Sequence, residues 1–259
     1  MYVAFSDYMK FIPYLCCGDP SASFTIKAAI ALAPYSYLIE LGIPFSDPIA
    51  DGPAIQEASQ RALSNGGGIR QAMQIAHKIS SCTNVPLAFM TYYNPIFSYG
   101  KEKFISDSKK CGISALIVPD LPFGEDPSFS DALKKSNMGL IGMVSLSTYV
   151  RRAKKIINSS HPFTYIVSVS GTTGERKSIL KDSLLFVKKI RSVAGKKKEL
   201  FVGFGVSSPS HALEFLKHGA SGVIVGSKLI SLYTKYLNSG SEDLAIRKLV
   251  SFSRSFAEI

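Results

Sequence analysis

Glu40, Asp47 and Asp51 stand close together in the stretch LIELGIPFSDPIADGP, residues 38–53. Glu40 follows Tyr37, Leu38 and Ile39, which suit a strand interior, and precedes a loop rich in Gly and Pro. A charge at the end of a buried strand costs free energy unless it is paired or used, and no Lys or Arg lies near it in sequence. A glutamate enclosed by apolar neighbours has a raised pKa, which suits it to giving and taking protons. Asp51 sits in the loop and should ionise more easily; its competing role is a turn residue bonded to its own backbone. Two acids in different environments can divide acid–base work and charge stabilisation between them.

Three Gly-rich turns lie far downstream: SVSGTTGER (168–176), GFGVSSPS (203–210) and VGSKLI (225–230). Glycine lets backbone N–H groups approach anionic oxygens, and a helix N-terminus adds partial positive charge. Ser227 adds a hydroxyl. One such turn says little, because glycine also serves tight turns; three in succession point to a phosphate.

Elements must hold these groups together. Short apolar runs predict strands at Ile12–Cys16, Tyr37–Leu41, Leu87–Thr91, Ala115–Val118, Leu140–Val144, Thr164–Val167, Leu200–Phe204 and Gly222–Val225. Helical spacing fills the intervals, as at Ile55, Ala58, Ala62 and Leu63 or Leu213, Phe215 and Leu216. Eight strands alternating with helices in 259 residues predict an α/β chain, a (β/α)8 TIM barrel of the phosphate-binding type, as a single domain over residues 1–259. In such barrels the loops after the last two strands bind phosphate, and catalytic groups sit at the C-terminal ends of strands. Glu40 and Asp51 then share that face. CGISALIV (111–118) and HGASGVIV (218–225) form a weak repeat, each with a helix-ending glycine, and YSYLIE (35–40) fits the same frame from Ser36. In that frame Glu40 takes the place of Val118 and Val225. The segment SVSGTTGERKSILKD (168–182) reads as a lid hinged at Gly171 and Gly174.

Composition narrows the function classes. The net charge is +11 and 46% of the residues are hydrophobic. Lysines cluster at Lys154–Lys155, Lys188–Lys189 and Lys196–Lys198, in different expected helices and without an aromatic-rich basic stripe. That predicts solvated faces rather than nucleic-acid binding, and a basic field still attracts a phosphorylated substrate. No apolar run reaches the roughly 20 residues of a membrane span, and the start of the chain does not read as a signal peptide, so the expected location is cytoplasmic. Cys16, Cys17, Cys82 and Cys111 show no metal or disulfide spacing and are expected to be reduced, buried thiols. His77, His161, His211 and His218 fall in helices or loops, away from the strand ends where a metal-dependent epimerase would need ligands. No expected strand carries the buried lysine of a Schiff-base aldolase.

The stretch ELGIPFSDPIADGPAIQ (40–56) resembles the signature of the tryptophan synthase alpha family. GDP (18–20), MTYYNP (90–95), DLP (120–122), SGTTG (170–174), GFGVS (203–207) and VGSK (225–228) follow in that family's order. The resemblance implies retro-aldol cleavage of indole-3-glycerol phosphate to indole and glyceraldehyde 3-phosphate, with no metal and no cofactor in this subunit. It implies a beta subunit carrying pyridoxal phosphate as partner, in an alpha2beta2 heterotetramer. By the same resemblance Glu40 is the proton-handling acid and Asp51 holds the indole N–H. Tyr165 and Thr173 contact substrate, and Gly174, Gly203, Gly205, Gly226 and Ser227 cradle the phosphate. Tyr14, Met90 and Phe204 line the indole pocket, and Pro44, Asp47, Asn94 and Pro122 face the partner. The chain departs from the family pattern at Cys16–Cys17 before Gly-Asp-Pro and at Thr172 in the lid segment. Another phosphate-binding barrel enzyme, and a catalytically weak subunit kept to activate a partner, are the competing readings.

Overall fold

The computed structural model describes residues 9–167, 181–203, 205–237 and 240–258. Its strands are β1 (Lys10–Cys16), β2 (Ile39–Gly42), β3 (Leu87–Met90), β4 (Ile113–Ile117), β5 (Gly139–Leu140), β6 (Met143–Ser145), β7 (Thr164–Val167), β8 (Leu200–Gly203) and β9 (Gly222–Val225). All described pairings are parallel. The sheet runs β5-β4-β3-β2-β1-β9-β8-β7-β6. Its two edges, β5 and β6, are consecutive in the chain, so the sheet curls into a TIM-barrel-like ring.

The expected fifth strand, Leu140–Val144, is thus two short pieces. β5 pairs only with β4 and β6 only with β7, and Ile141–Gly142 bridges them. Ile141 N–H still donates to Leu116 O and Tyr165 N–H to Gly142 O, each at 2.9 Å, so the seam is held from both sides. Two glycines cause the break by close approach. A Cβ on Gly139 would strike the His161 carbonyl, and one on Gly142 would crowd Ile156 and Ser160. Behind this seam, between helices Pro127–Lys135 and Val150–Ser159, lies a cleft of about 740 Å³. It is on the outer wall, away from Glu40 and Asp51.

The register defines the two faces of the ring. Phe89 packs its ring 6.4 Å from Phe104, on the helix Lys101–Lys110, and Phe11 stacks 4.8 Å from Phe256, on the helix Glu242–Ala257. Those residues face outward. Their neighbours Ala88, Met90, Ile12 and Tyr14 therefore point into the ring. Tyr14 pairs with Glu40 and Glu40 with Ala88, so Glu40 points inward with them.

This corrects the repeat frame. Val225 pairs with Pro13 and Val118 follows Ile117, the partner of Met90, so both valines lie on the helix-facing side. Glu40 is therefore out of phase with its sister positions by an odd number of residues, one from Val225 and three from Val118, and an odd shift in a strand exchanges the faces. The cause is upstream. Gly112 and Gly219 end their helices with φ of 87° and 101°. Pro34 holds the equivalent place and cannot adopt that conformation. The chain instead enters β2 through a 3-10 turn, Ala33–Tyr35.

β1 also begins two residues earlier than expected, at Lys10. That lysine lies at the N-terminal end of the strand, opposite the site, and pairs with Glu199 at 2.6 Å. Helices carry local start signals: Ser21, Asp126, Ser208 and Ser241 each accept a backbone N–H as N-caps, and Pro53, Pro127 and Pro209 occupy first turns. The lysine clusters are mostly exposed and lie apart: two on the helices Val150–Ser159 and Lys181–Ala194, the third in the turn before β8. No helix of the described residues is long and apolar enough to cross a membrane. All four cysteines are free; Cys16 and Cys17 are buried as expected, whereas Cys82 is exposed and Cys111 half-buried.

Candidate active site

Glu40 is 1% exposed and Asp51 is 4% exposed. Glu40 reaches the ring interior from β2, and Asp51 lies in the loop after it. Glu40 Oε2 and Asp51 Oδ1 are buried oxygens without a hydrogen-bond partner. Buried acceptors are nearly always satisfied, so two unsatisfied carboxylate oxygens on neighbouring segments mark a place built for something else.

The two acids differ in their support. Burial raises the Glu40 carboxyl to about 8, and the nearby charge of Asp51 adds to the effect. Burial raises Asp51 only to about 6, because a hydrogen bond from Tyr92 opposes it. The Tyr92 hydroxyl donates to Asp51 Oδ2 at 3.0 Å and accepts the Ala50 N–H at 2.9 Å. Gln56 Nε2 donates to the Asp51 carbonyl at 2.8 Å, fixing the loop to the first turn of the helix Pro53–Ser64. At neutral pH Glu40 is therefore mainly protonated and Asp51 mainly ionised.

Two tyrosines stand beside them. Tyr14 and Tyr165 are each 5% exposed. Burial pushes both hydroxyls well above their usual range, and the charges of Glu40 and Asp51 push further. Each ring lies over a glycine: a Cβ on Gly42 would overlap the Tyr14 hydroxyl, and one on Gly203 would overlap that of Tyr165. Gly203 is a buried strand residue whose missing side chain makes room for a tyrosine. Met90 is buried at the end of β3.

Gly205 follows β8 with φ of 78°, a conformation that favours glycine. Gly226 follows β9, and Ser227 opens the helix Ser227–Leu237, so its N-terminal N–H groups lie at the same end of the ring as Glu40. Thr173, Gly174 and Phe204, with Gly171, Thr172 and residues 168–180 of the expected lid (168–182), lie outside the described residues; its last two residues, Lys181 and Asp182, open the helix Lys181–Ala194. Among residues assigned to the partner, Asp47, Asn94 and Pro122 are exposed at the mouth, whereas Pro44 is buried. The described residues contain no group of three His, Cys, Asp or Glu side chains placed to hold a metal ion.

Sequence reasoning passed over three features. Tyr92 sits inside the quoted MTYYNP, but a Tyr-Tyr pair does not say which ring turns inward; its neighbour Tyr93 instead bonds to Asp126. Gly42 looks like a loop residue until Tyr14 is seen above it. Asp19, which is buried, and Arg61, which is half-buried, form an ion pair whose members lie 42 positions apart.

Comparison with known proteins agrees with the fold. The family model described as tryptophan synthase alpha chain matches residues 5–258. The tryptophan synthase alpha chain of Methanococcus maripaludis is 38% identical over 247 residues, covering 95% of this chain and 93% of its own. That of Thermococcus kodakarensis is 39% identical over 245 residues, covering 94% and 97%. A solved chain from the tryptophan synthase a2b2 complex of Pyrococcus furiosus superposes with a TM-score of 0.87 at 35% identity, covering 96% of this chain and 98% of that one. The chain belongs to the tryptophan synthase alpha chain family.

Proposed function

We propose that this chain, acting as one barrel domain, cleaves indole-3-glycerol phosphate to indole and glyceraldehyde 3-phosphate, a carbon–carbon lyase reaction in tryptophan biosynthesis. The observation that carries the reading is the pair of buried acids with unsatisfied oxygens, one held neutral and one anionic near pH 7. Asp51 accepts the indole N–H and offsets positive charge as the ring takes a proton. Neutral Glu40 gives that proton to C3. Its carboxylate then removes the proton of the adjacent carbinol hydroxyl as the C3–glycerol bond breaks. The bonding pair returns to the ring to restore indole, the carbinol becomes the aldehyde, and Glu40 is neutral again. Acid and base are one residue, so no net proton is consumed.

Gly205, Gly226, Ser227 and the N-terminus of the helix Ser227–Leu237 support a phosphate cradle, to which Gly174 and the Gly203 backbone belong by resemblance. Tyr14, Met90 and Tyr165 enclose the indole, and by resemblance Phe204 and Thr173 also contact the substrate. Indole then passes to a beta subunit, whose pyridoxal phosphate carries out tryptophan formation; this chain itself needs no cofactor. Ile49, Phe97 and Phe123 are 77%, 65% and 40% exposed beside Asp47, Asn94 and Pro122. Large apolar groups gathered at one mouth support a protein partner there, in an alpha2beta2 assembly in the cytoplasm.

The test is indole release from indole-3-glycerol phosphate by the purified chain, alone and with a beta subunit. Release that requires Glu40 is the expected result. No release under either condition, with glycerol phosphate still bound, would leave the reading of a catalytically weak activating subunit.

A further inference from the structure

We propose that Asp19, Arg61 and Tyr233 form a positioning clamp that sets the spacing between the acid end and the phosphate end of the site. The inference rests on the reading above, because it takes those two ends to hold one substrate. Asp19 follows β1 and its side chain is 0% exposed. Arg61 Nε and Nη2 donate to its two oxygens, each at 2.8 Å, and the Tyr233 hydroxyl donates to Oδ2. Arg61 Nη2 also reaches Thr234 Oγ1 at 3.4 Å. A paired guanidinium fork on a buried carboxylate fixes direction as well as distance.

The clamp matters because of where its members' helices begin. Arg61 is on the helix Pro53–Ser64, which starts two residues after Asp51. Tyr233 and Thr234 are on the helix Ser227–Leu237, which starts in the phosphate cradle. The two helices pack directly on each other and on β1. At about 1.5 Å per residue, Arg61 lies roughly 12 Å from the start of its helix and Tyr233 roughly 9 Å from the start of its own. A small change of angle at the clamp is carried to both ends of the substrate. Other bonds tie the same corner: Asn65 Nδ2 donates to the Pro20 carbonyl at 2.8 Å, and the rings of Phe24 and Tyr233 meet at 5.1 Å. The three clamp residues touch no reacting atom and are positioning residues.

The test separates spacing from stability by using ligands of different reach. Glycerol 3-phosphate probes the phosphate end, indole the acid end, and 3-(indol-3-yl)propyl phosphate spans both. Arg61→Lys keeps a cation beside Asp19 but loses the fork, and Tyr233→Phe keeps the ring but loses the hydroxyl. By titration calorimetry, each variant should bind the two short ligands within about twofold of the unaltered chain. The spanning ligand should weaken by about tenfold or more, and kcat for cleavage should fall with it, because misplacement of the order of 1 Å is enough to cost that much. Unchanged affinity for the spanning ligand in both variants would overturn the clamp. So would equal weakening of all three ligands with a lowered thermal midpoint, which is what a merely structural network gives. Failure of the unaltered chain to release indole would overturn the reaction, while the ligand comparison would still decide the clamp.

Discussion

The Tyr92 hydroxyl bonds to Asp51 Oδ2 at 3.0 Å, and this contact sets the ionisation of the loop acid. Burial alone would drive Asp51 further toward its neutral form; the tyrosine holds it at about 6 by stabilising the carboxylate. Tyr92→Phe removes that donor and leaves the ring, which lies 5.3 Å from Phe45, in place. The acid limb of the kcat/KM profile should move to higher pH, with the alkaline limb nearly unmoved. An acid limb identical to that of the unaltered chain would mean that Tyr92 does not govern the ionisation.

The unaltered chain should show a bell-shaped kcat/KM profile. Activity should rise through about pH 6 as Asp51 ionises and fall above about pH 8 as Glu40 loses its proton. A profile that does not fall above about pH 8 would remove Glu40 from the role of proton donor.

Glu40→Gln tests the same residue through rate and stability together. Loss of a general acid–base group typically costs about 10² to 10⁴ in rate, and more where one group serves two steps. Stability should move the other way. The folded carboxyls of Glu40 and Asp51 are raised above their values in the unfolded chain, so the fold binds these protons more tightly. That stabilising contribution is fully present below about pH 4 and is lost as pH rises through about 6 for Asp51 and about 8 for Glu40. A glutamine has no proton to lose. The thermal midpoint of Glu40→Gln should therefore gain on the unaltered chain as pH is raised from about 5.5 to about 8.5. An equal difference at both values would contradict the raised pKa.

Much of this was legible in the sequence, for reasons that particular residues make plain. Glu40 announced itself because a carboxylate after Tyr37, Leu38 and Ile39 breaks an apolar run. The glycine turns after β8 and β9 were legible because glycine has a local meaning. The phase of Glu40 was not legible: Pro34 replaces a helix-ending glycine, and Glu40 falls an odd number of residues out of step with its sister positions, a three-dimensional consequence that aligned letters hide. The seam at Ile141–Gly142 was missed because the glycines there serve close backbone approach, which a hydrophobic run conceals. The clamp was invisible for a further reason, since Tyr233 and Asp19 are 214 positions apart and only the closed ring brings them together.

Substitutions at three glycines should separate tyrosine placement from phosphate contact. A methyl group on Gly203 would occupy the position of the Tyr165 hydroxyl, and one on Gly42 that of Tyr14. Both rings are enclosed, so neither can swing away freely, and overpacking of this kind typically costs about 1–3 kcal/mol. Gly203→Ala and Gly42→Ala should lower the thermal midpoint and weaken binding of the indole end. Gly226 is different: a Cβ there would sit 3.4 Å from Tyr14 Cβ and Cδ1, ordinary contact, and its φ requires no glycine. Gly226→Ala should fold with nearly unchanged stability. Gly226→Val adds two methyl groups beyond the alanine variant's Cβ where the backbone must approach phosphate oxygens, and each charge-assisted hydrogen bond lost costs about 1.5–3 kcal/mol. Calorimetry with glycerol 3-phosphate should therefore show near-normal affinity for Gly226→Ala and at least about a tenfold loss for Gly226→Val. Equal affinities for the alanine and valine variants would place the phosphate elsewhere in the barrel mouth.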